Sequence, residues 1–190
     1  MISLVTLYLT VLRLAAIKVF LGDFLIVRLS WNDYVLLAPE VGLYNAGAKV
    51  GTVSKISGTL ASLDADRSVV LRWKEVWEIE NAAAPGEARK PFWRFASFPE
   101  LIVIPKSETA LRRLCFVTAT QFRLLPGQYE LTLDASSGAR QRDVFTVTKR
   151  LRLAEADIAW LDTHKPVKDA PGQHLHLYYD FKAMQYLTQI

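Results

Sequence analysis

A single cysteine, Cys115, excludes an intramolecular disulfide and any zinc site built on thiolates. The fold must be held by its core, which suits a reducing compartment and is compatible with an oxidising one. A basic tract is also missing. The net charge of +4 arises from 23 basic and 19 acidic residues scattered along 190 positions, so nucleic acid is not an expected partner. There is no internal repeat, no low-complexity tract and no long amphipathic helix pattern after residue 24, which excludes solenoids and helical bundles. What the chain has instead is apolar material, 51% of residues against 22% charged. That balance describes one folded domain with appendages.

The clearest local pattern is Leu125-Pro126-Gly127-Gln128-Tyr129-Glu130-Leu131-Thr132-Leu133, a Pro-Gly turn followed by strict alternation. Tyr129, Leu131 and Leu133 are expected on the buried side. The same period runs through Phe145, Val147, Leu151 and Leu153, and short β-rich runs recur over 24–30, 34–37, 41–49, 50–60, 69–79, 101–104 and 110–118. In Val69 to Ile79 the alternation places Val69, Leu71, Trp73, Trp77 and Ile79 on one face, with Glu75 as the exception. Residues 81–91 read as a polar loop. Residues 155–190 read as a loop followed by a C-terminal strand beginning near His174.

Residues 1–22, MISLVTLYLTVLRLAAIKVFLG, form the most apolar stretch and match the roughly 20 residues of a membrane-crossing helix. Arg13 and Lys18 interrupt it. The segment is therefore expected to be a membrane anchor or interfacial helix, with an element packed on the domain and a cleaved signal as the other two uses. Its leading reading makes the protein membrane-associated.

Two motifs carry a resemblance. The Pro-Gly-x-Tyr turn at 126–129 resembles the tyrosine corner of immunoglobulin and fibronectin type III sandwiches, in which the phenol bonds back to upstream backbone. Asn45-Ala-Gly-Ala-Lys-Val-Gly-Thr-Val53 is similar to the Asn-x-Gly turns of bacterial sandwich domains behind an N-terminal membrane segment. The resemblance implies an all-β, immunoglobulin-like antiparallel β-sandwich over 23–154, with 1–22 and 155–190 appended. It implies no active residues and no cofactor.

Candidate chemistry is sparse. His174 and His176 share a strand face, where a metal with His164 and Asp180 would support a metal-dependent enzyme; two surface histidines on an aromatic strand explain the same residues. Cys115 sits in an apolar run and reads as a small hydrophobe. Gly47 to Thr52 reads as a turn rather than a phosphate loop. Glu75 and Glu78 leave their strand by opposite faces and make no acid/base pair. Aromatics interleaved with cations stand out at Phe92, Trp93, Arg94, Phe95 and Phe98, beside the 81–91 loop. These five residues are the expected interaction surface of a non-enzymatic accessory domain with a protein partner, and a glycan- or peptide-binding module is the alternative.

Overall fold

The computed structural model describes residues 15–80, 92–137, 143–166, 177–180 and 185–188. Within them the chain forms β1 (Ile17–Leu29), β2 (Val35–Asn45), β3 (Gly51–Ser62), β4 (Arg67–Glu80), β5 (Phe92–Ser97), β6 (Ile102–Ile104), β7 (Thr109–Thr118), β8 (Gly127–Ser137), β9 (Asp143–Leu153), α1 (Glu155–Thr163), β10 (Leu177–Asp180) and β11 (Gln185–Thr188). Every ladder is antiparallel. The order is β11-β10-β1-β2-β7-β4-β3-β8-β9, with β5 on β4 and β6 on β3.

These strands make one sheet, coiled into a nearly closed barrel in which β1 and β9 approach each other. The all-β, antiparallel fold is as expected, and its sheet is barrel-like rather than clearly a sandwich. Long strands make the difference. β4 pairs β3 over Arg67–Arg72, β7 over Leu71–Trp77 and β5 over Val76–Glu80, so it carries the ladder around the corner. Irregular register at Leu21/Leu25, Val53/Lys55 and Trp73/Glu75 supplies bulges, which bend and twist strands.

The core follows the alternation. Tyr129, Leu131 and Leu133 of β8, Leu151 and Leu153 of β9, and Leu60 and Leu71 are buried together inside the barrel. Leu71 and Leu133 are not opposed across the core as neighbouring sheets would place them; they flank Gly58 of β3, whose missing side chain leaves them room. The tyrosine corner is present in its hydrogen bonds. The Tyr129 phenol donates to the Leu125 carbonyl at 2.9 Å and accepts from the Leu125 N–H at 2.8 Å.

Asn45 ties three elements at the other end of the barrel. Its Oδ1 accepts from the N–H groups of Ala16 (3.2 Å) and Gly47 (2.9 Å), and its Nδ2 donates to the carbonyls of Lys49 (2.7 Å) and Ile104 (3.1 Å). All its side-chain bonding capacity toward the backbone is used, which is what full burial of an amide requires.

Three boundaries differ from the sequence reading. Ile17–Leu21 of the apolar N-terminal run belong to β1. The runs 34–37 and 41–49 are joined into one strand that ends at Asn45, because Pro39 falls where the β1 and β2 registers shift and no ladder N–H is needed. Glu155–Thr163 is a helix, begun by the Asp157 carboxylate accepting from the Ala154 N–H at 2.7 Å; its Leu161 enters the core.

Candidate functional site

The outward side of β2, β7, β4 and β5 carries the expected surface. A bulge creates its layout. Trp73 pairs Phe116 and Glu75 pairs Cys115, so Lys74 is the extra residue and the alternation changes phase there. Val76 then enters the main core, while Glu75 and Trp77 point outward. Trp73 and Trp77 therefore do not share a face, contrary to the sequence pattern, and Glu75 is no longer an exception. It accepts a hydrogen bond from Trp77 Nε1 at 2.8 Å.

Register places Glu40, Arg113, Trp77 and Phe95 in one row across the four strands. Arg113 Nη2 lies 3.8 Å from Glu40 Oε2. At the end of the row, Phe95 is 50% exposed and Phe98 is 70% exposed, with their rings edge to face at 5.2 Å. Leu101 and Val103 are also exposed. A groove of about 240 Å³ runs beside them, lined by Val76, Ser97, Leu101, Ile102, Glu78 and Arg112. Arg112 Nε meets Glu78 Oε1 at 3.1 Å, so this wall carries a paired rather than a free charge.

Of the five expected surface residues, Phe95 and Phe98 are thus brought together. Phe92, Trp93 and Arg94 are described by their backbone, which pairs Glu80, Ile79 and Glu78. Leu101 and Val103 were not part of the expectation. Alternation in β6 was the available signal, since Ile102 and Ile104 are buried and Val103 between them is not.

The other candidates separate. His174 and His176 lie outside the described residues, and Asp180 is described by its backbone in β10. His164 closes α1: its Nδ1 is 2.8 Å from the Trp160 carbonyl and its ring stacks on Trp160 at 4.2 Å. Among the described residues no group of three His, Cys, Asp or Glu side chains is arranged to hold a metal. Cys115 is buried in β7, and burial, aided by Glu75 and opposed by Arg28, pushes its thiol up to about 12. A thiol so raised is a poor nucleophile near neutral pH. Burial also lowers the Arg28 guanidinium, against the pull of Cys115 and Glu75.

No protein-family model matches the chain, and no curated protein matches its sequence. Solved structures similar to it include a putative ApaA protein from Bordetella pertussis (12% identity, 74% of this chain and 94% of that one, TM-score 0.36). A family 123 glycoside hydrolase from Clostridium perfringens aligns at 12% identity over 74% of this chain and 28% of its own, TM-score 0.39. Spo0M, a sporulation control protein from Bacillus subtilis, aligns at 9% identity over 88% and 67%, TM-score 0.36. Similarity this loose assigns neither family nor function.

Proposed function

We propose that the chain is a non-enzymatic interaction domain that binds a protein partner through the β5 flank. Phe92, Trp93, Arg94, Phe95 and Phe98 belong to that surface, extended by Leu101 and Val103. The observation that carries the reading is the pair of exposed phenylalanines packed against each other. Burying one such side chain is worth about 1.5–3 kcal/mol. Two left in water beside two further exposed aliphatics make a patch of the kind that marks recognition sites. Aromatics next to arginine supply the usual anchors of protein interfaces. The immunoglobulin-like assignment of the fold belongs to the same proposal and is supported by the Tyr129 corner.

The test compares affinity capture by the full-length chain and by its Phe95→Ser/Phe98→Ser variant, matched in far-UV circular dichroism. The variant is expected to retain less than a tenth of the partner held by the parent. Equal retention by both would place the contact surface elsewhere.

A further inference from the structure

β5 is held in the sheet by one edge. Among the described residues its ladder is to β4 alone, over Val76–Glu80, and that of β6 is to β3 alone, over Gly51–Val53. β4 pairs β3 over Arg67–Arg72, so beyond Arg72 the sheet divides, with β5 on one side of the division and β6 on the other. Alternate residues of an antiparallel strand turn their N–H and C=O groups to opposite neighbours, so about half of the β5 backbone groups point away from β4. The rest of the chain leaves this side in water. Phe95 and Ala96 are exposed, and so is each residue from Phe98 to Leu101.

Natural sheet edges are blunted by lysine, proline or inward-pointing charge. β5 reads Phe92-Trp93-Arg94-Phe95-Ala96-Ser97, with three aromatics and one cation, and proline waits until Pro99. Its bulge places Ala96 as the extra residue opposite the Val76–Trp77 step, so only the last part of the strand is twisted away. An edge of this kind is a template for another chain. Strand addition uses it directly, with main-chain bonds giving affinity and alternate side chains giving specificity.

The two faces beside the edge define what such a strand must carry. Phe95 pairs Trp77 and shares its outward face. Val76 enters the core, and Glu78, two residues on, lies on that inward side, where the 240 Å³ groove holds Glu78, Arg112 and Glu100. Arg112 is committed to Glu78 at 3.1 Å, and Glu100 has no ion pair among the described residues. Two carboxylates against one guanidinium leave the groove with a net negative charge.

We infer that β5 takes an extended segment of a partner protein as an added strand along its second edge, with apolar side chains beside Phe95 and a basic side chain toward Glu100. The inference rests on the reading of the β5 flank as the contact surface and specifies its mode, backbone to backbone.

The test uses a fluorescein-labelled peptide, acetyl-Lys-Ile-Lys-Ile-Lys-Ile-Lys-amide, titrated with the full-length chain and followed by fluorescence anisotropy. Saturable binding is expected. Two further peptides keep every side chain and lose the N–H donors of one edge, by N-methylation at every isoleucine or at every lysine. At least one of them is expected to bind at least tenfold more weakly. Glu100→Lys is expected to weaken the lysine peptide about threefold and to strengthen its glutamate counterpart. No saturable binding, equal binding of both methylated peptides, or an indifferent Glu100→Lys would overturn strand addition, while loss of partner capture in Phe95→Ser/Phe98→Ser would still stand for the surface. Peptide binding unchanged in Phe95→Ser/Phe98→Ser, yet still dependent on the peptide N–H groups, would uphold strand addition and overturn the aromatic contact.

Discussion

Replacing Asn45 by alanine removes four hydrogen bonds from one buried position, and the structure gives each of them a weight. The Gly47 N–H and the Ile104 carbonyl belong to buried residues, so losing the amide leaves them without solvent to take its place. Each orphaned group costs about 1–3 kcal/mol. Lys49 is exposed and Ala16 half-buried, so water replaces the amide there and each loss costs roughly 0.5–1 kcal/mol. Asn45→Ala is therefore expected to destabilise by about 3–8 kcal/mol. In urea, with a slope of about 2 kcal/mol per molar for a domain of this size, the midpoint should fall by about 1.5–4 M. Tryptophan fluorescence follows the transition. Asn45→Asp should be no milder, because a carboxylate would face the Lys49 and Ile104 carbonyls that the amide now serves. A midpoint shift below about 0.5 M for Asn45→Ala, with an unchanged slope, would refute the idea that this side chain fastens β2, β6 and the start of β1.

Other outcomes follow from the same structure. Tyr129→Phe keeps the buried ring and loses both bonds to Leu125, so it should cost about 1–3 kcal/mol in denaturant melts. Gly58→Ala would set a methyl 2.8 Å from Leu133 Cδ2 and 3.1 Å from Leu71 Cδ1, both in the core, at a cost of about 1–3 kcal/mol. Gly42→Ala meets only the outer edge of the exposed Phe20 ring, which can swing away, and should cost less than about 1 kcal/mol. The Cys115 thiol ionises near 9.0 when unfolded and about 12 when folded. The native state holds the proton longer, so this contribution is complete below pH 9 and is lost as pH rises toward 12, at up to about 1.4 kcal/mol per pH unit. Stability measured from pH 8 to 10.5 should fall more steeply for the parent than for Cys115→Ala, and parallel curves would contradict the assignment.

Much of the fold was legible because half-buried strands write their faces into the sequence. Tyr129, Leu131 and Leu133, and Leu151 and Leu153, are buried as their alternation predicts. The tyrosine corner was legible as well, since Pro126 and Gly127 set the turn that brings the phenol back to Leu125. Alternation fails where a ladder slips. The extra residue at Lys74 turns Trp77 away from Trp73, and nothing in the local composition marks it. Closure of the sheet was equally hidden, because the pairing of β2 with β7 and of β3 with β8 joins segments far apart in the chain. The separate outward cluster of Ile26, Leu36, Ala38 and Cys115 did leave a trace. Leu25-Ile26-Val27 and Leu114-Cys115-Phe116-Val117 are unbroken apolar runs, the mark of strands covered on both sides. At the candidate surface, the aromatic spacing singled out Phe95 and Phe98, whose rings are exposed and in contact, whereas Leu101 and Val103 became visible once β6 lay beside the groove.

The claim that the β5 flank is the contact surface is tested most directly by hydrogen-exchange footprinting of the full-length chain with and without its captured partner. Exchange across residues 95–103 should slow on binding, while the outward side of β8 and β9, around Thr132 and Thr148, should keep its rate. Slowed exchange at β8 and β9 with 95–103 unchanged would contradict it.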